Sequence, residues 1–321
     1  MILFVPLLLI YIIILGGNSM IIFVVQSRAD SFVILWSQCE KHVMTGVSVS
    51  VFLVQTLSDP KLTSPMYFFL HNLAFVDMVY TTTTIPNMLA GFLTDKLTIS
   101  IPGCFLQMYF FIQLSVTGRG ILTVMAYDRY MAICNPLRYT AIMTRPVRML
   151  LVAGAWAFGT LCTTPATVMA LQQPYCGLNV VRHGWCDPSS VRRLACADTS
   201  VDNIVSLSFA LVSLLTTGVL ILTSYVLIAV SISRKSVAQR LKAFGTCAAH
   251  LTVVSISYSA ASFVYISYRV GNFSPEVCEP CNLSLQFVIA LGLVSFIEQV
   301  CRHGGSIRPR SEFRYRNYSL V

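Results

Sequence analysis

The residues best placed for chemistry are a charge pair at the end of a long apolar run. Asp128-Arg129-Tyr130 lies within MAYDRYMAICNPLRY, residues 125–139, directly after the apolar stretch Ile101–Tyr127. Asn135-Pro136 follows, and proline stops or turns a helix because it has no amide donor and its ring clashes with the preceding turn. A carboxylate beside a guanidinium at that point makes an ion pair where a buried helix meets water. The plainer reading is a membrane-edge arginine snorkelling its head toward lipid headgroups. The chain carries no nucleophilic triad, phosphate-binding glycine loop or paired carboxylates in a plausible cleft, so an enzyme is not expected.

Other polar groups sit inside apolar stretches, where they are costly in lipid and tend to face a bundle interior. Asn18, Asp77 and Arg119 are of this kind, and so is His250, with Lys242 near the start of the same stretch. A structural hydrogen bond between helices, or a satisfied packing histidine, is the plainer alternative for each. Of the 11 cysteines, Cys104, Cys176, Cys186 and Cys196 fall on the oxidising side of the topology below, and four cysteines allow three pairings. Cys278-x-x-Cys281 with Cys301 and His303 has a superficial zinc spacing. The apolar segment between the two halves would put them on opposite faces of a membrane, so no metal and no cofactor are expected.

The elements that must position these groups are membrane spans. Apolar residues make up 55% of the chain and charged ones 11%, with a mean hydropathy of +0.71, against about 25% charged residues in soluble proteins. Stretches able to cross a bilayer are Ile2–Gln26, Met66–Leu93, Ile101–Tyr127, Met149–Leu171, Asn203–Ile232, Ala243–Tyr268 and Leu283–Val300. Each must be helical, because lipid satisfies no open backbone polar group. Val43–Leu57, at about 15 residues, is short of the usual minimum of about 17 and is not counted. With the N-terminus outside, sixteen of the 22 Lys and Arg fall in cytoplasmic segments, five fall outside, and Arg119 lies within a span. That bias fits seven spans. It assigns the +9 charge to orientation in a membrane rather than to nucleic acid. Residues 1–15 lack a cationic start and a small-residue cleavage site, so the first span is expected to act as an uncleaved signal anchor.

Five segments carry a resemblance. Gly17-Asn18, PMYFFLHNLAFVD at 65–77, MAYDRYMAICNPLRY at 125–139, SYVLI at 224–228 and KAFGTCAAHLTVV at 242–254, in this order, resemble the odorant-receptor branch of the rhodopsin-like G-protein-coupled receptors over residues 2–26 and 58–277. The resemblance implies an all-α membrane protein, a rhodopsin-like seven-transmembrane helix bundle. It implies that Asp128 and Arg129 form a resting-state lock beside Tyr130. Tyr225 then matches the tyrosine that receives the released Arg129, and Lys242 and His250 serve coupling. Asn18 and Asp77 match a central, sodium-binding polar cluster, with Arg119 a departure from the family pattern. Arg119 is expected to pair with Asp77 or to reach a water-filled cavity, either of which disfavours sodium, so Arg119→Ser should raise signalling or surface expression. The implied disulfides are Cys104–Cys186 and Cys176–Cys196.

By the same resemblance, a ligand would bind between the outer halves of the third, fifth and sixth spans. Met108, Phe111, Ile112, Ser115 and Val116 recur at three- and four-residue spacing and share one helix face. Phe209 and Ser213 do so on the fifth span, and Tyr258, Ser262 and Tyr265 on the sixth. An apolar pocket with a few hydroxyls suits a small volatile odorant, although ordinary helix packing explains any single residue equally well. The implied partners are that odorant, a stimulatory heterotrimeric G protein and membrane lipid, in the plasma membrane. Asn272 heads the outward sequon Asn272-Phe273-Ser274, and Asn317-Tyr318-Ser319 lies in the inward tail.

Three segments depart from the pattern. The chain enters its first span without the usual extracellular segment, 27–57 reads as an insertion in the first inner loop, and the match stops near Val277. Thus 1–277 forms the receptor-like bundle, and 278–321 an atypical seventh span with a basic tail. That span lacks the Asn-Pro-two residues-Tyr motif of odorant receptors. The alternative function is accordingly a non-signalling membrane protein of receptor descent, retained in the endoplasmic reticulum. A transporter or channel would predict broken helices in internal repeats, and none are found in the sequence.

Overall fold

The computed structural model describes residues 4–26, 65–93, 98–176, 180–181 and 185–270. Six long helices are found among them: α1 (Phe4–Gln26), α2 (Pro65–Leu93), α3 (Ile101–Cys134), α4 (Arg145–Leu171), α5 (Ser200–Ser233) and α6 (Val237–Val270). Short helices at Tyr139–Ile142 and Pro188–Arg192 lie between α3 and α4 and between α4 and α5. The segments 27–57 and Leu283–Val300 lie outside the described residues, as do Asn272, Asn317, Cys278, Cys281, Cys301 and His303.

The helices follow from local chemistry. Ser100, in extended conformation, caps α3 by accepting a hydrogen bond from the Gly103 amide at 3.2 Å, and Pro102 occupies the first turn, where its missing donor costs nothing. Asn135-Pro136 ends α3. The α4 helix also has an extended residue, Thr144, before it and Pro146 in its first turn, but Thr144 makes no side-chain cap. Several helices outrun their apolar stretches: α3 continues past Tyr127 to Cys134, and α6 begins at Val237 rather than Ala243. Once a helix is nucleated, each further residue adds a backbone hydrogen bond, so it runs on into the polar boundary. The Asp-Arg-Tyr triplet therefore rides on the end of α3, and Arg240 and Lys242 belong to α6.

Helix α3 is the hub, packing against α2, α4, α5 and α6, while α1 packs on α2. Among the described residues, α3, α4 and α5 are each long and apolar enough to cross a bilayer. Inside, Met66, Phe69, Leu73 and Val76 of α2 meet Leu114, Ile121 and Met125 of α3, with Val152 of α4, Ile221 of α5 and Val253 of α6 closing the core. Leu215, Val219, Leu222 and Val226 of α5 stay exposed, an apolar outer face that fits lipid rather than water. Where α3 and α4 cross, Gly120 and Gly159 permit close approach. A Cβ on Gly120 would lie 3.0 Å from that of Ala155, and one on Gly159 would lie 3.0 Å from the Gln113 carbonyl oxygen.

Candidate functional site

At the end of the bundle where α3 begins, the loop after α4 is held by two disulfides. Cys104–Cys186 ties it to the start of α3 with Cα atoms 5.4 Å apart, and Cys176–Cys196 closes it on itself at 5.9 Å. An antiparallel bridge joins Tyr175 and Ala195, and the Cys196 amide donates to the Pro174 carbonyl at 2.9 Å. Arg192 fastens the loop to α5 through the Asp202 carbonyl, Asn203 Oδ1 and Ser206 Oγ, at 3.3, 3.0 and 3.2 Å. Asp198 accepts both the amide and the hydroxyl of Ser200, which hold its carboxyl below the ordinary value.

Gln107 is a buried polar residue that spacing alone did not single out. Its Nε2 donates to the Thr83 carbonyl of α2 at 2.6 Å, and its Oε1 accepts the Cys186 amide at 3.0 Å. One side chain thus joins α2, α3 and the loop. A glutamine within the apolar run, near the start of α3, was the available signal. Gln107→Leu leaves the buried Cys186 amide without that acceptor, a cost of about 1–3 kcal/mol. The thermal midpoint of the purified protein is expected to fall by several degrees, and an unchanged midpoint would mean water replaces the amide.

The residues expected to face a ligand do not share one environment. Met108 is buried with Cys104, Phe105, Ala170, Cys186 and Val191, and Ile112 packs against the same group. Phe111 instead sits between Tyr80 and Trp185, with ring centroids 5.1 and 5.6 Å away. Val116 and Ser213 are buried, whereas Phe209 and Ser262 are half-buried. Tyr258 donates to Thr217 Oγ1 at 2.7 Å, linking α6 to α5, and Thr217 in turn donates to the Ser213 carbonyl at 2.7 Å. Thr217 is a second residue that face-counting missed. Tyr265 and Lys242 fall on α6, and their side chains lie outside the described residues.

The central polar group is not joined as expected. Ser19 and Met78 touch across α1 and α2 at 3.3 Å, which sets Asn18 and Asp77 at the same level. Yet Asp77 Oδ2 has no partner, and no ion pair links Asp77 to Arg119 among the described residues. Arg119 instead donates through Nη1 to Ser115 Oγ at 2.9 Å, a partner neither expected arrangement named. The reason is local: helical side chains lean toward the N-terminus, so a residue four positions earlier is the first polar group within reach. The Arg119 charge reaches Tyr258 on α6 and Cys162 on α4.

At the opposite end, where α3 finishes, Asp128 is fully buried, 3.3 Å from Arg129 Nη2. Tyr139, in the short helix beyond α3, donates to Asp128 Oδ1 at 2.7 Å. Burial, and then the negative charge of Asp128, push the Tyr139 phenol well above its ordinary range, so it remains a donor. His250 is also fully buried. Its Nδ1 lies 2.7 Å from Tyr225 Oη, and its Nε2 lies 3.1 Å from the Leu122 carbonyl of α3. With Nε2–H donating to that carbonyl, Nδ1 accepts the tyrosine proton, which defines the tautomer. Tyr130 packs beside Ile228, Ile232 and Cys247, where α3, α5 and α6 meet. The Arg129 charge reaches both Tyr225 and His250.

A polytopic helical bundle with a paired Asp-Arg near one end of its central helix and a disulfide at the other has known counterparts. The chain matches the olfactory receptor family model over residues 41–291, which extends into both segments that the sequence set apart, 27–57 and 278–321. It is 41% identical over 226 residues to human olfactory receptor 13C2, covering 70% of this chain and 71% of that one. To human olfactory receptor 6C3 it is 45% identical over 225 residues, 70% of this chain and 72% of the relative. To human olfactory receptor 10A5 the identity is 40% over 248 residues, 77% and 78% of the two chains. The chain belongs to the olfactory receptor family, multi-pass seven-helix receptors of the rhodopsin-like type and not enzymes.

Proposed function

We propose that this olfactory receptor binds a small, largely apolar volatile molecule among the outer halves of α3, α5 and α6 and activates a stimulatory heterotrimeric G protein from its cytoplasmic end. The observation that carries the reading is the Tyr225–His250–Leu122 link, which joins α5, α6 and α3 on the cytoplasmic side of the candidate ligand face of the same helices. A ligand seated between them moves a pre-existing equilibrium by as much as it favours one arrangement. In the resting arrangement Asp128 holds Arg129 and His250 holds Tyr225. Activation separates α6 from α3, frees Tyr225 and lets it receive Arg129 as the cleft opens. Asn18 and Asp77 form the polar centre through which the helices rearrange.

The protein is placed in the plasma membrane with its N-terminus outside. Removing Asn272 is expected to abolish a glycosidase-sensitive shift and removing Asn317 to leave it intact; glycan on Asn317 would put the tail outside and end the seven-span receptor reading. Given the expected topology, a panel of volatile alcohols, aldehydes and acids should raise cyclic AMP in cells expressing the full chain. Val116→Trp, which overpacks a buried position on the candidate ligand face of α3, should abolish the response, with the surface level measured alongside to separate lost binding from lost folding.

The second reading is a receptor-derived membrane protein that does not signal and stays in the endoplasmic reticulum. The sequence Leu283–Val300, with no Asn-Pro-two residues-Tyr, favours it. Its mark would be intracellular retention and no cyclic AMP response to any member of the panel.

A further inference from the structure

We infer that Arg119 makes the centre of the bundle a seat for a ligand's carboxylate, so that the molecules recognised are small organic acids. The inference rests on the odorant-binding reading above and names its ligand class. Arg119 lies mid-way along α3 and is only 8% exposed. A guanidinium carries five N–H donors and no acceptor. One is used, by Ser115 at 2.9 Å, while Nε is buried with no partner. No carboxylate lies within ion-pair distance among the described residues: Asp128 pairs with Arg129, and Asp77 Oδ2 is itself unpartnered. An uncompensated cation in a low-dielectric interior is costly and draws in an anion.

The chemistry around the guanidinium selects the kind of anion. Ser115 Oγ accepts from Arg119, which leaves its own proton free to donate. Arg119 and Ser115 therefore present a fork of donors with no acceptor between them, suited to the two oxygens of a carboxylate, which guanidinium binds bidentately. Tyr258, whose hydroxyl proton is committed to Thr217, is within reach of the same charge. On α3, Phe111 and Val116 are the apolar neighbours of this pair in sequence, Val116 buried and Phe111 packed with Tyr80 and Trp185, so the tail such a ligand carries would be short and alkyl. An alcohol or aldehyde would occupy one donor and leave the charge unmatched.

The test uses the full chain, purified into lipid nanodiscs in low-chloride buffer, with thermal unfolding as the readout. Hexanoate is expected to raise the midpoint at concentrations where 1-hexanol has little effect. Arg119→Gln should raise the ligand-free midpoint and abolish the hexanoate shift. Ser115→Ala and Arg119→Lys, which keep the charge but break the fork, should weaken the apparent hexanoate affinity roughly ten- to a hundredfold, and they carry the test if Arg119→Gln does not fold. A hexanol shift equal to that of hexanoate would leave the odorant pocket standing and overturn the acid assignment. Chloride giving the full shift with hexanoate adding none would make the occupant an inorganic ion. A hexanoate shift that appears only in Asp77→Asn would mean that the chain supplies its own carboxylate. No shift with either organic probe would overturn both the inference and the binding reading beneath it.

Discussion

Cys104→Ser is expected to cut the amount of protein at the cell surface by at least tenfold, and Cys186→Ser to do the same. The Cys104–Cys186 bond closes a sequence separation of 82 residues, and the chain-entropy model gives such a closure about 4.5 kcal/mol. That is a large part of the 5–15 kcal/mol that holds a typical protein together. The bond also anchors more than itself. Cys186 presents its amide to Gln107, and neighbouring Trp185 packs at a tilt against Phe111, so releasing the loop uncovers these ends of α2 and α3. Cys176→Ser should have a smaller effect, because its bond spans only 20 residues, about 3 kcal/mol on the same model. Flow cytometry of an N-terminally tagged receptor measures this directly. The double variant Cys104→Ser, Cys186→Ser should be no worse than either single one, since all three remove the same bond. Surface levels matching the unaltered protein would show that helix packing alone holds the loop.

Asp128→Asn should raise ligand-free cyclic AMP severalfold and lower thermal stability together. Asp128 is fully buried and neutralises Arg129 at 3.3 Å. Removing one member of a buried pair costs about 3–5 kcal/mol in a sealed interior. The cost is smaller here, because Arg129 sits at the helix end and can extend to headgroups. On the proposed mechanism that freedom is also what activation requires, since an unpaired Arg129 becomes available to Tyr225. Tyr139→Phe, which deletes only the 2.7 Å hydrogen bond to Asp128, should move both readouts the same way by less, about 1–3 kcal/mol in stability. A stability loss without any rise in basal signal would assign Asp128 to folding alone and favour the non-signalling reading.

Much of this molecule is legible in its residues taken one after another. Long apolar runs in a chain with 11% charged residues leave a helix as the only stable state of the backbone in lipid, and six of the seven expected spans coincide with described helices. Asn135-Pro136 and Ser100 mark the ends of α3 because capping and proline geometry act over a few residues. Long-range partners were not legible in this way. The face of α3 running from Met108 to Val116 reads as one stripe, yet Met108 goes to the loop and Phe111 to α2 and Trp185, since a central helix is contacted on every side. Arg119 was expected to pair with Asp77 or to reach a water-filled cavity; among the described residues no ion pair joins it to Asp77, and it donates to Ser115, one turn away on its own helix. Coulomb attraction between residues distant in sequence acts only if packing brings them within a few ångströms, and spacing does not record that distance. Gln107, Thr217 and Tyr139 gained their roles from what the folded bundle placed opposite them: a carbonyl of α2, a phenol of α6 and the carboxylate of Asp128. Composition and spacing determined that the chain is a bundle of membrane helices. Only the tertiary structure decided which polar groups inside it are matched and which, like Arg119, remain open.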